Sequence, residues 1–421
     1  MNFPEGSLSA DFPPTRILIL SVTGRGVGFI MSALKGLRIL DLTVTLPGPY
    51  CTGLLADLGA EVIKIENPQG GDWFRNETPA VKGVGIRFLN LNRNKKSLTL
   101  NLKSPKAVEI FLSLAQKSHV VLEGFRPGVV DRLGIGYGRV SSANPKIVYC
   151  SISGYGQDGP YRLLAGHDIN YMGYSGLLNL SGFGDRHPVM PAMPIADYSG
   201  GLLAAVGIFA ALQFVQRTGK GQYVDISMLD GLLGFQHAPL ANYVATGNPP
   251  QRGKFWLAAN LPWYSVYETK DGKAVTMGPL EPHFWANFCR LLGREDLIEC
   301  QDAGDEKKQE EIHHFLRDIF RQKTRDAWME FFKDRDVCVG PVQEVDEVLN
   351  DQQVRHRQMI VEVEHPQAGR LPQIGIPIKF SETPGEIREP APALGQHNKE
   401  ILQELGFSLS GIETLKDEKV I

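Results

Sequence analysis

From Gly36 onward the chain alternates between continuous apolar runs and amphipathic ones. "LRILDLT" reads as a buried strand and "GPYCTGLLADLG" as a helix closed by Gly59. "AEVIKIE" follows as a strand, and "KAVEIFLSLAQKS" as a helix. "HVVLEGF" and "KIVYCSISGYG" are strands joined by a helical connection. Buried strands alternating with helices predict an α/β fold, a parallel sheet covered by helices. In such sheets ligands bind beyond the carboxyl ends of the strands.

The pattern then changes. Gly200 to Val215 is a run of apolar and small residues that reads as a buried helix, stopped by Gly219 and Gly221. "YVDISMLDGLLGFQHAPLANYVAT" reads as a strand end followed by a long helix, and "GNPPQRGK" as a linker. "YSVYETKDGKAVTMG" predicts a hairpin around Asp271 and Gly272, with helices to about Asp334. The tail predicts a short strand pair around "MIVEVEHP" and "GRLPQIGIP", and a closing helix in "NKEILQELGF". The expected divisions are an N-terminal extension (1–33), a large α/β unit (34–229), a linker helix with a smaller α+β unit (230–345), and a C-terminal return to the large unit (346–421).

The first thirty residues fit none of this. Gly24, Gly26 and Gly28 follow a strand-like run, but their spacing departs from the dinucleotide fingerprint and no ribose-binding acid follows. The stretch is too short and broken for a membrane span, and lacks the basic start of a signal peptide. Met31 is the more natural start of the folded chain.

Composition narrows the class. The chain has 421 residues, 43% hydrophobic and 22% charged, with a formal net charge of −3. No global field draws it to nucleic acid or an anionic membrane. Cys51, Cys150, Cys289, Cys300 and Cys338 are too scattered for a disulfide framework or a metal site, and a reducing cytoplasm is the simplest setting.

The candidate chemistry lies at junctions. Arg93, Lys95, Lys96 and Lys103 surround one strand-like segment, and Arg126 and Arg132 follow another; such cations hold phosphorylated ligands, or form a solvated charged loop. Asp197 precedes the long apolar run, at or near the cap of its helix, where the dipole and free N–H groups would keep it ionised or where it serves as a plain cap. His167, between Gly166 and Asp168, has the ring to act as acid or base near neutrality, although a lone histidine is usually structural or exposed. Glu281 follows a strand of the smaller unit. From the residues alone the chain is an α/β enzyme binding a phosphorylated ligand, with the reaction unnamed.

The segments "RILDLT", "LLADLGAEVIKIE", "NRNKKSLTLNLK", "EGFRPGVVDRLG", "GYGQDGP", "GHDINY", "TGKGQYVDISMLDG" and "LGQHNKEILQELGF" add a name. In this order, from Leu34 to the C-terminus, they resemble the family III CoA-transferase and α-methylacyl-CoA racemase (CaiB/BaiF-type) family. The resemblance implies a Rossmann-like large domain built from both chain ends, a small domain from the middle, and an interlocked homodimer whose active sites lie between subunits. It implies no permanently bound cofactor and no metal, with a coenzyme A thioester as substrate and a carboxylic acid as possible acceptor. The coenzyme site would comprise Leu100, Asn101, Leu102, Lys103, Gly124, Phe125, Arg126, Arg132, Gly166, Asp168 and Tyr171. Asn67 stands where relatives commonly carry arginine, so Arg93, Lys95 or Lys96 would hold the adenosine-phosphate end instead.

The resemblance also assigns catalytic roles. Asp197 matches the catalytic aspartate, His167 a second base, and Glu281 an acid supporting that histidine. A transferase needs one carboxylate nucleophile. A racemase must remove the α-proton from one face and return a proton to the other, with N–H donors, from the Gly166 turn, for the enolate. His167, Asp197 and Glu281 supply that two-base set, so an acyl-CoA racemase is expected ahead of a CoA-transferase. "LAANLPWY" replaces the glycine-rich segment typical of racemases, which keeps the transferase in view. A CoA-binding scaffold without turnover is the third reading.

Overall fold

The computed structural model describes residues 32–256, 260–302 and 304–421. The readings for Gly24, Gly26, Gly28 and Met31 fall outside the described residues.

Six parallel strands form the central sheet: β1 (Arg38–Asp41), β2 (Glu61–Glu66), β3 (Lys95–Thr99), β4 (Val120–Glu123), β5 (Val148–Ser153) and β6 (Gln222–Ser227). Their spatial order is β3-β2-β1-β4-β5-β6, the doubly wound order in which the chain reverses direction between β1 and β4. Ile39 lies opposite Val62 on one side and Val120 on the other. Successive side chains point to opposite faces. Leu40, Ile63, Leu98 and Val121 therefore meet Phe111 and Leu114 of α2 (Pro105–Gln116), while Ile39, Val62, Val120 and Val148 pack in a second core with Cys51 and Leu55 of α1 (Pro47–Asp57).

The C-terminal end of the chain packs on β3. His397 donates its backbone N–H to Ser97 at 3.0 Å, and Asn101 donates to Val420 at 2.8 Å. Ile401, Leu402, Ile412 and Leu415 join the first core. Arg93, Lys95 and Lys96 are consumed by internal partners, contrary to the expectation that they hold phosphate. Arg93 pairs with Asp57 at 2.7 Å, and Lys95 lies buried beside Asp41 at 3.3 Å. Lys96 bridges Glu61 and Glu400. Arg93 and Lys95 become internal once acids of neighbouring elements close on them, while Lys96 stays partly exposed between its two acids.

The long apolar helix, α4, spans Ile195–Thr218. It lies on the second core through Ala196, Gly200, Ala204, Ile208 and Ala211. A Cβ on Gly201 would meet the Pro47 carbonyl oxygen at 2.6 Å, so the small residue permits close approach to α1. The expected full burial fails: Leu202, Leu203, Val206, Phe209 and Phe214 are exposed. Among the described residues this is the one helix long and apolar enough to cross a membrane by length and composition, longer than the run Gly200–Val215 suggests.

The single long helix expected after β6 is two, α5 (Met228–Gly234) and α6 (His237–Thr246). Pro239 has no N–H to continue the ladder, and its ring excludes the carbonyl four residues earlier. The middle of the chain forms an antiparallel sheet of β7 (Ser265–Glu268), β8 (Ala274–Met277) and β9 (Val339–Pro341), whose first two strands form the expected hairpin. Its core gathers Trp263, Tyr267, Trp285, Phe288, Phe320 and Trp328. The tail hairpin pairs β10 (Ile360–His365) with β11 (Gly369–Ile374).

Candidate active site

A cleft of about 230 Å³ opens at the switch point, beyond the carboxyl ends of β1, β4 and β5. Its walls are the loop Thr43–Thr45, the first turn of α1 at Pro47 and Gly48, the loop Gly124–Pro127, and the segments Ile152–Tyr155 and Leu164–His167. Arg162, Tyr171, Asp197 and Met228 complete them. The positive end of α1 therefore faces the cleft.

Buried ion pairs hold the loop after β1. Asp41 accepts from the Thr43 backbone N–H at 2.9 Å and from the Thr52 hydroxyl at 2.6 Å. Lys64 donates to the Thr43 carbonyl at 2.7 Å and pairs with Asp72 at 2.9 Å. Burial works against the charge on Asp41, yet Lys95 and Lys64 hold its carboxyl down at about 2. Burial lowers Lys95 to about 8, with Asp41 opposing. Thr45 adopts a left-handed φ of 64°, and its N–H is taken by Asp72 at 3.2 Å.

Asp197 has the opposite surroundings. It is the third residue of α4, whose cap position is Pro194. Asp168, first residue of α3 (Asp168–Tyr174), accepts from the backbone N–H of Ala196 at 2.6 Å and of Asp197 at 3.3 Å. The helix donors are thus spent on Asp168. Burial first, and the Asp168 charge second, push the Asp197 carboxyl up to about 6. This corrects the expectation that the helix start simply stabilises the anion: Asp197 sits close to its own titration near neutrality.

His167 is the residue before α3, and its backbone N–H donates to the Asn170 side chain at 3.0 Å. Its side chain is exposed and lines the cleft together with Asp197. Tyr171 sits beneath, its hydroxyl donating to the Gly166 carbonyl at 2.6 Å. A Cβ on Gly154 or Gly166 would strike its ring at 2.4 or 2.7 Å, which explains both glycines. Burial pushes the Tyr171 hydroxyl up to about 12, helped by Tyr155 and Asp197 and opposed by Arg126.

The cleft therefore gathers Gly124, Phe125, Arg126, Gly166, His167, Tyr171 and Asp197, with Asp168 buried behind. It does not gather the rest. Leu100 is buried in the first core, Asn101 bonds the C-terminal segment, Leu102 packs at the edge of that core, and Lys103 is exposed. Arg132 is exposed on the short helix Val129–Leu133. Glu281 is exposed at the cap of α7 (Pro282–Leu291), near Cys338 rather than His167. Sequence reasoning passed over Arg162 and the Thr43–Gly48 wall. The threonines and prolines of "DLTVTLPGP" mark a loop, but only the strand order sets it opposite Gly124.

Comparison with known proteins converges on the same reading. The sequence matches the family described as CoA-transferase family III over residues 34–398. It is 35% identical to the succinyl-CoA:glutarate CoA-transferase of Mus musculus, covering 93% of this chain and 91% of that protein. It is 33% identical to the α-methylacyl-CoA racemase of Homo sapiens, over 92% and 97% of the two chains. A CaiB/BaiF family protein from Brucella suis superimposes with a TM-score of 0.78 at 30% identity, over 89% of this chain and 99% of that one. The chain belongs to the CoA-transferase family III, an enzyme family whose members include both CoA-transferases and acyl-CoA racemases.

Proposed function

We propose that the chain is an acyl-CoA racemase that inverts the α-carbon of a 2-methylacyl-CoA by two-base proton exchange. One observation carries this: His167 and Asp197 line the same cleft. A carboxyl raised to about 6 both accepts and returns a proton near neutrality. With the thioester between them, one base removes the α-proton and the other's conjugate acid delivers a proton to the opposite face. The negative charge on the enolate oxygen is met by N–H groups around Gly166 and by the positive end of α1.

The cleft takes only the thioester end. Arg126 stands at its wall, and Leu100–Lys103 and Arg132 fit a coenzyme path outside it. In this reading residues 34–229 and 346–421 form the large domain and residues 230–345 the small one. A homodimer completes the site: Leu202, Leu203 and Val206 of α4 and Leu240, Tyr243 and Val244 of α6 present exposed apolar surface, an area that a second copy would cover. That copy would supply Glu281 to His167. Unpaired cysteines fit a cytoplasmic setting.

CoA transfer is the second reading. Asp197 is the one carboxylate lining the cleft among the described residues, and the mouse relative is named as a transferase. The Asp197 carboxylate would attack the thioester carbonyl, expel coenzyme A thiolate and form a mixed anhydride; the thiolate would return to give an enzyme thioester, freeing the first acid.

The test is incubation of a chiral 2-methylacyl-CoA in D₂O. Racemisation gives α-deuterium and loss of optical purity with no acceptor acid present. Absence of exchange over many enzyme equivalents, with Asp197 converted to its hydroxamate when hydroxylamine displaces the bound acyl group or thiolate, would instead support transfer.

A further inference from the structure

An acid that neither reading of the reaction uses lies behind the cleft wall. Glu123, the last residue of β4, is 1% exposed. Its carboxylate accepts from the backbone N–H of Phe125 at 2.7 Å, and the Ser151 hydroxyl of β5 also donates to it. Ser151 accepts in turn from the Tyr223 hydroxyl at 2.8 Å. Tyr223 belongs to β6, the edge strand, and is 36% exposed. A chain of hydrogen bonds therefore runs from the edge of the sheet to the loop Gly124–Pro127, which walls the cleft. The same side chains hold the segment that follows: Tyr149, stacked on Tyr223 at 5.9 Å, donates its hydroxyl to the Ile135 carbonyl at 3.0 Å. The charges acting on Glu123 are Asp131, on the helix Val129–Leu133, and Asp225, on β6, and both are acids. The titratable groups beside it are Tyr149, Cys150 and Tyr223. Burial, ahead of the two acids, pushes the Glu123 carboxyl up to about 7, with Ser151 and the Phe125 N–H opposing.

We infer that Glu123 is a positioning residue for the coenzyme thioester: its carboxylate fixes the Phe125 backbone, and with it the Arg126 side of the cleft, so that affinity follows the charge on Glu123. The inference rests on the acyl-CoA reading and adds a control that lies outside the cleft. Glu123 does not line the cleft and acts through Phe125. An ionised carboxylate accepts from both donors at once, and a bond to a charged acceptor is about twice as strong as one to a neutral acceptor. A protonated carboxyl must place its O–H on an acceptor. Given to Ser151 Oγ, that proton reverses the Ser151 bond and leaves Phe125 with a neutral partner. The ionised form is therefore the one that holds the loop. Asp41, which fixes the neighbouring loop, has Lys95 beside it and keeps its charge. Glu123 has only acids acting on it, so its hold on the loop is open to pH.

The experiment measures equilibrium binding of desulfo-CoA to the full chain as a function of pH, for wild type, Glu123→Gln and Ser151→Ala. Glutamine keeps an acceptor for Phe125 but carries no charge. At about pH 8.5 wild type is expected to bind about tenfold more tightly than Glu123→Gln, and at about pH 5.5 the two should bind equally. Taking the ratio removes the titration of Asp197 and of the ligand phosphates, which the two proteins share. Ser151→Ala keeps the carboxylate and removes one donor to it, so its affinity should begin to fall at a higher pH than that of wild type. Circular dichroism checks folding, and if Glu123→Gln does not fold, the Ser151→Ala profile decides. A ratio of Glu123→Gln to wild type that stays constant with pH overturns the inference and leaves the acyl-CoA reading intact. A Ser151→Ala profile that coincides with wild type does the same. Failure of wild type to bind desulfo-CoA at any pH overturns both.

Discussion

Two carboxylates at the same end of the sheet, one buried and one half-buried, meet opposite fates. Asp41, at the end of β1, shares its enclosure with Lys95 and Lys64 and is held down at about 2. Asp197, at the start of α4, is enclosed beside another acid and rises to about 6. Burial opposes ionisation in both, and the sign of the neighbouring charge decides the outcome. The first arrangement fixes a loop. The second leaves a group that changes protonation near neutral pH, which is the property a catalytic base needs.

The comparison breaks most sharply at Asp197. Asp197→Asn should lower turnover of an acyl-CoA by about 10³-fold or more while the protein stays folded. The sign of the stability effect is also fixed. A carboxyl whose native value lies above its unfolded one contributes stability below about pH 4 that is lost as pH rises through about 6. Asp197→Asn should therefore be the more stable protein at pH 8, by up to about 3 kcal/mol, and indistinguishable at pH 4. Denaturant titrations at the two pH values measure this, and a destabilised variant at pH 8 would contradict the account.

Lys64→Met makes the opposite case. Removing the cation leaves Asp72 and Asp41 short of charge in a closed space, and a loss of about 3–5 kcal/mol is expected. A change below about 1 kcal/mol would show that the pairs do not hold the Thr43–Thr45 loop.

Asp168→Asn sharpens the comparison. Its side-chain oxygen still accepts from Ala196 and Asp197, but the negative charge is gone. The acidic limb of kcat/KM against pH, set near 6 by Asp197, should move to lower pH with little change in the plateau. An unmoved limb would remove Asp168 as a cause.

The smallest effect is expected at Lys96. It is partly exposed between Glu61 and Glu400, so Lys96→Ala should cost no more than about 1 kcal/mol. KM for the acyl-CoA should stay within error. A several-fold rise would return Lys96 to the phosphate site.

Much of the fold was legible because each element carries its own period. The β2 strand Glu61–Glu66, the hairpin around Asp271 and Gly272, and the strand pair Ile360–Ile374 follow from local apolar pattern and turn residues. Pro239, which divides the helix after β6, was equally local and was passed over. The exposed face of α4 was not legible, since an apolar side chain carries no mark of whether core or a second chain covers it. The motif "GHDINY" pointed to His167 and Asp168, yet gave no hint that Asp168 caps the helix of Asp197 from 29 positions away in sequence.

By itself the sequence determined the α/β class, the junction residues His167 and Asp197, and the family. Tertiary structure decided which charges are spent and which are free. Lys95 and Arg126 look alike along the chain, but one is enclosed with Asp41 and the other stands open at the cleft. The reason is physical: backbone pattern is set by short-range sterics and side-chain periodicity, whereas a charge takes its energy from whatever the fold places within a few ångströms of it.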